Sequence, residues 1–320
     1  MLSRLTVLLF LLLGSLPAAA EVMPEVHFLI PAGPGGGWDG TARGVGEALT
    51  RSGLVTSVSF ENLSGGGGGR AIAKLIETAE RQQNTLLISS TPMVVRSLQK
   101  VFPQSFRDLM PIASVIADYS VFVVRQDSPF ASFNDLVAAF KANPRSVKVA
   151  GGSVRGSTDH IVFARALELA GADPFKVVYV SYDGGGKAMA GILTGETQVL
   201  STGLSEAIDM ARAGEVRIIA ITSAERQAGL ENVTTLTEMG FPLEFANWRG
   251  FFAAPGLDAS RYRAMMDTIT AVLATPEFEA VRARNGWTLL HQEGADFYQF
   301  LERQEKEIGD LMRQLGFLRQ

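Results

Sequence analysis

The 320-residue chain has no cysteine, which excludes disulfides, thiolate metal sites, a cysteine nucleophile and a lipid-anchoring cysteine. It has three histidines, His27, His160 and His291, far apart and without an H-E-x-x-H spacing, so the pattern disfavours a histidine-rich metal site. Basic residues are in slight deficit, 29 Lys and Arg against 33 Asp and Glu, which leaves no footprint for a nucleic-acid partner. Beyond the N-terminus no apolar stretch approaches the roughly 20 residues that span a bilayer. A hydrophobic content of 47% rules out a disordered chain, and the length predicts about two domains.

Residues 1–20 read as a removable signal peptide. Arg4 gives a positive start, Leu5 to Leu13 an apolar run, and Ala18-Ala19-Ala20 a small-residue cleavage pattern. A run that ends at Gly14 to Pro17 is too short for a retained anchor. The expected location is the periplasm.

After the leader, short apolar runs alternate with helical patterns. Strands are expected at Val26 to Pro31, Val55 to Phe60, Thr85 to Ser89, Val147 to Ala150, Val177 to Ser181, Thr197 to Ser201 and Val216 to Thr222, with helices between most of them. Ile112 to Val124 suits a strand passing between two lobes, and Trp248 to Ala254 a return strand. Ser132 is placed as an N-cap, with Asp135 three residues on. The tail reads as three helices. The alternation argues for two α/β lobes with parallel-rich sheets, lobe 1 from residues 21–122 and 249–320 and lobe 2 from 123–248.

Glycine is what the chain has in excess: 33 residues, many in four clusters. These are Gly33-Pro34-Gly35-Gly36-Gly37, Gly65 to Gly69, Gly151-Gly152-Ser153 and Gly184-Gly185-Gly186, each between an expected strand and an expected helix. Glycine there permits positive φ and close approach, while the first N–H groups of the helix stay unpaired and favour an anion. Gly35-x-Gly37-x-x-Gly40, with Glu61 about twenty residues on, formally matches a dinucleotide fingerprint. Asp39 in the first turn would oppose a pyrophosphate, and Trp38 is bulky where close approach is needed. No cofactor is expected. Ser153 and Ser205 lack the flanking glycines of a nucleophile elbow, and no catalytic set stands out.

Pro31-Ala32-Gly33-Pro34-Gly35-Gly36-Gly37-Trp38-Asp39, Gly151-Gly152-Ser153 through Gly156-Ser157-Thr158-Asp159-His160, Tyr182-Asp183-Gly184-Gly185-Gly186 and Asn247-Trp248-Arg249-Gly250-Phe251 resemble the signature stretches of the tripartite tricarboxylate transporter receptors, or Bug proteins. The resemblance covers nearly the whole chain after the leader and is nearest the citrate-type branch. It implies a type II periplasmic-binding-protein fold, with crossing hinge strands and a cleft that closes on a small carboxylate and delivers it, as a monomer, to membrane permease subunits.

The same resemblance implies a first-lobe shell of Gly35, Gly36, Gly37, Trp38 and Asp39, with Gly67, Gly68, Ser90 and Thr91. From the second lobe it implies Ser153, Gly156, Ser157, Thr158 and Asp159, then Tyr182, Gly184 and Gly185, then Ser201, Thr202 and Ser205. Arg155 departs from the small residues usual in its loop; facing the cleft it pairs with a carboxylate, facing water it says nothing of specificity. Tyr182 is open between cleft and core, and Trp248 and Arg249 between hinge border and plain packing. Two alternatives stand beside the receptor reading: a secreted hydrolase using Ser153 or Ser205, and a partner that presents ligand to a membrane sensor kinase.

Overall fold

The computed structural model describes residues 22–318, so the expected signal peptide lies outside the described residues. The order is β1 (Glu25–Ile30), α1 (Gly37–Arg51), β2 (Ser57–Asn62), α2 (Gly69–Glu77), β3 (Thr85–Ser90), α3 (Thr91–Leu98) and β4 (Met110–Arg125). There follow α4 (Phe133–Ala142), β5 (Lys148–Gly151), α5 (Thr158–Leu169), β6 (Val178–Ser181), α6 (Gly185–Leu193), β7 (Val199–Gly203), α7 (Leu204–Arg212) and β8 (Val216–Ile221). The chain closes with β9 (Ala246–Ala253), α8 (Ala259–Leu273), α9 (Pro276–Asn285), β10 (Thr288–Glu293) and α10 (Gly294–Gln314).

Two sheets share one strand. In the first, β1 pairs in parallel with β2 and β3, and β3, β9, β4 and β10 continue antiparallel. In the second, β5 pairs in parallel with β6 and β7, and residues 120–125 of β4 run antiparallel between β7 and β8. β4 changes partners between Tyr119, paired with Ala246, and Ser120, paired with Gly203. The parallel part of each sheet is thus its outer half, and the strands nearest the junction are antiparallel.

The side-chain alternation of a strand builds the layers. Phe28 and Ile30 face one helical layer with Phe251 and Trp287, whereas Leu29 faces the other with Phe252 and Phe297. In the second sheet Phe122 and Val124 point one way and Val121 and Val123 the other. Each sheet is covered on both faces, the arrangement expected of an α/β fold. Ser132 caps α4 in a reciprocal box with Asp135, as the sequence suggests.

Two elements escape the sequence reading. α3 starts directly from the end of β3 with no loop, and its apolar Met93, Val94 and Val95 are buried, partly against α10. β10 alternates between half-buried and exposed residues, so it has no continuous apolar signature.

Candidate functional site

All four glycine clusters reach one cleft of about 950 Å³ between the two sheets. Gly33, Gly36 and Gly37 enter it from the β1–α1 turn, and Gly65 to Gly68 from the turn before α2. Gly152 and Gly184 to Gly186 enter from the second sheet.

The β1–α1 turn is held from behind. Asp39 is buried, and its carboxylate accepts from the Gly35 N–H at 3.0 Å, from Arg43 Nε at 2.9 Å and from Asn62 Nδ2 at 2.9 Å. Burial alone raises the pKa of Asp39, but these donors outweigh it and hold the group below the usual carboxylate range. Asp39 therefore braces the turn and, like Gly35, stands outside the cleft lining. Trp38 lines the cleft, with its indole Nε1–H donating to Ser90 Oγ at 2.8 Å. Ser90 also lines it; Thr91 does not, and its N–H donates to Asn247 Oδ1 at 3.2 Å. Gly67 and Gly68 have φ of 66° and 102°, the left-handed conformation that favours glycine.

In the second sheet the Gly152 and Gly184–Gly185 turns lie back to back. A Cβ on Gly152 would stand 2.6 Å from the Gly185 nitrogen, so the packing requires glycine. Ser153 and Asp159 line the cleft, and Ser153 Oγ donates to Asp159 Oδ2 at 3.0 Å and also meets Ser157 Oγ. Burial, followed by the nearby Glu206 charge, pushes the Asp159 carboxyl up to about 7. Thr158 lines the cleft with a buried hydroxyl that has no partner among the described residues.

Several of the expected site residues lie outside the cleft lining. Gly156, outside the lining, donates its N–H to His160 Nδ1 at 3.0 Å and accepts from Gln99 Nε2 at 2.8 Å. The His160 ring stacks on Tyr179 at 4.5 Å, and burial, then the Arg155 charge, lowers it to about 4. Arg155 is exposed and does not line the cleft. Ser157 is fully buried. Ser201 and Thr202 are buried and do not line the cleft, and the Thr202 hydroxyl donates to Glu206. Ser205 Oγ donates to Asp118 Oδ2 at 2.6 Å. Tyr182 divides between both readings: it lines the cleft, but its buried hydroxyl lies where a Cβ on Gly191 of α6 would fall.

Charged residues that the sequence reading missed are the site's main surprise. These are Arg96 on α3 and Glu206 on α7, which both line the cleft; Asn247 and Arg249 of β9, from a stretch already singled out in the sequence, line it too. Arg249 is buried and donates from Nη2 to Asp118 at 2.6 Å and from Nη1 to Thr41 Oγ1 at 2.8 Å, tying β9 to β4 and α1. Glu206 Oε1 accepts from the Gly37 N–H at 2.7 Å, across the cleft. Arg96 is 7% exposed, and its Nε has no partner among the described residues. The only available signal was that Glu206 falls in the first turn of a helix after a strand; for Arg96 there was none, because α3 itself was unread.

Neither serine of the hydrolase alternative meets a histidine. Ser153 bonds to Ser157 and Asp159, Ser205 to Asp118, and the His160 Nδ1 is occupied by a backbone N–H. Among the described residues no helix is long and apolar enough to cross a membrane.

Residues 41–317 match the model of the tripartite tricarboxylate transporter family receptor. A "UPF0065 protein" from Pseudomonas sp. strain P51 is 29% identical over 256 residues, 79% of this chain and 74% of that one. The periplasmic binding protein BugD superposes with a TM-score of 0.82 at 21% identity, over 92% of this chain and 99% of its own. MatC from Rhodopseudomonas palustris, with malate bound, superposes with a TM-score of 0.79 at 18% identity, over 90% and 98%. The fold is thus that of these type II periplasmic binding proteins, and the chain belongs to the tripartite tricarboxylate transporter receptors, a family of solute-binding proteins and not of enzymes.

Proposed function

We propose that the chain is a periplasmic receptor that captures a small di- or tricarboxylate in the interlobe cleft and delivers it to the membrane permease of a tripartite transporter. The observation that carries this reading is the convergence of four glycine turns, from both sheets, on one cleft. Their helix starts supply N–H donors, each worth about 0.3 to 1 kcal/mol toward an anion and up to about 2 when partly buried. MatC, of the same fold, holds malate. A citrate-type ligand, with one more carboxylate, belongs to the same class. The lobes, which the sequence divides at residues 122/123 and 248/249, close on the ligand about β4, whose change of sheet at Tyr119/Ser120 lies a few residues before the first of these boundaries, and the receptor acts as a monomer.

Calorimetry of the leaderless protein with succinate, malate, adipate, tricarballylate and citrate tests the reading. Saturable one-site binding of at least one acid, near the micromolar range that corresponds to about -8 kcal/mol, is the expected result. Heats that do not saturate for any of them would remove the carboxylate assignment.

A further inference from the structure

The cleft contains a cation that the fold leaves without a use of its own. Arg96 is more than nine-tenths buried, and among the described residues its side chain forms neither a hydrogen bond nor an ion pair, its Nε being buried without a partner. Arg249, equally buried in the same cleft, spends its fork on Asp118 and Thr41. A guanidinium taken out of water without a partner is strongly disfavoured, and burial accordingly lowers its proton affinity. The carboxyl whose charge acts on it, Asp159, already accepts from Ser153 and from the Gly152 backbone, and it does not close to ion-pair distance.

The position is built for a guanidinium. Gly67 holds a left-handed turn, and a Cβ there would overlap Arg96 Nη1, so the glycine is what admits the side chain at the cleft wall. Arg96 comes from the first sheet's side and Asp159 from the start of α5 on the second, so the cation lies where the two halves of the cleft face each other.

We propose that Arg96 binds one carboxylate of the ligand through its planar fork, while the glycine-lined helix starts take another, making the cleft selective for molecules with two or more carboxylates. This rests on the receptor reading and adds to it a residue and a reason for excluding monoacids. A planar fork matches a carboxylate bidentately, which lysine cannot do.

The test measures succinate, malate and adipate, each against its monomethyl ester, on the unsubstituted protein, Arg96→Gln and Arg96→Lys. The unsubstituted protein is expected to prefer its diacid over the half-ester by at least about tenfold. Arg96→Gln abolishes that ratio by weakening the diacid alone, and Arg96→Lys restores only part of it. Equal affinity of diacid and half-ester for the unsubstituted protein, which needs no variant to fold, overturns the role of Arg96 while leaving the receptor reading intact. A ratio that survives in a folded Arg96→Gln variant does the same. If none of these diacids binds the unsubstituted protein, the same comparison is made with citrate and tricarballylate, and if these do not bind either, the receptor reading fails and this inference with it.

Discussion

Glu206 Oε1 accepts a hydrogen bond from the Gly37 N–H at 2.7 Å, although 169 residues separate them. A carboxylate carried by the second sheet therefore occupies the first free amide of α1 on the first sheet. This is the kind of group the helix start favours, supplied by the chain itself. Its other oxygen is held by the Thr202 hydroxyl one turn away, so its position is fixed from its own side of the cleft.

Because a bound acid competes with Glu206 for the α1 start, removing the charge should favour the ligand. Glu206→Gln is expected to tighten diacid binding between about twofold and about thirtyfold, the span of one helix-start interaction. Calorimetry at constant pH checks it, and unchanged or weaker binding would show that Glu206 does not compete.

Arg249 and Asp118 are 3% and 0% exposed and join β9, β4, α1 and α7 through Thr41 and Ser205. Removing one member strands the other charge in the interior. Arg249→Met is expected to cost about 3 to 5 kcal/mol of stability by denaturant unfolding. A loss under about 1 kcal/mol would mean that water replaces the pair.

The glycines of the clusters are not equivalent. The Cβ added by Gly152→Ala would fall 2.6 Å from the Gly185 nitrogen and force that backbone away, whereas a Cβ on Gly186 meets nothing within 4 Å and Gly186 has no positive φ. The first substitution should lower the melting temperature by several degrees and weaken ligand binding. Gly186→Ala should change stability little, by about 0.5 kcal/mol or less. Similar effects from the two would refute the back-to-back packing of the turns.

Asp159 and His160, adjacent in sequence, have opposite pH dependences. The Asp159 carboxyl rises from 3.8 to about 7 on folding, through burial and Glu206, so its contribution is complete below pH 3.8 and lost as the pH rises through 7. His160 falls from 6.5 to about 4, through burial and Arg155, so its contribution is complete above pH 6.5 and lost as the pH drops toward 4. Between pH 4 and 6.5 the unfolded pair holds its proton on the histidine and the folded pair on the carboxyl, and the two slopes largely cancel. In thermal melts across this window Asp159→Asn should become less stable toward acid, and His160→Gln less stable toward neutral pH. Parallel profiles for the two variants would contradict the assignment.

Much of the architecture was legible in the sequence because it depends on local pattern. The β-branched run of β4, the Ser132–Asp135 box and the strand–glycine–helix order each reflect neighbours along the chain. α3 was not legible: Val94 and Val95 are poor helix formers, and its buried face is completed by α10, about two hundred residues later. The glycine turns of the cleft were visible for the same local reason. Of its charges Asp159 was visible in its signature stretch, and Arg249 in a stretch open between hinge and packing; Arg96 and Glu206 were not, because the side from which they enter the cleft is decided by packing between distant segments. The sequence also does not distinguish a serine that faces the cleft, such as Ser153, from one that fastens α7 to a buried aspartate, such as Ser205.

The placement of β9 between β3 and β4 governs the order in which the molecule can be finished. A chain delivered N-terminus first presents β1 to β4 early, yet the gap in the middle of that sheet is filled only by residues 246–253. The intervening segment can assemble its own sheet against the far end of β4 beforehand. The half that starts the chain is therefore the last to be completed, and until then its unpaired strand edges are exposed to wrong partners.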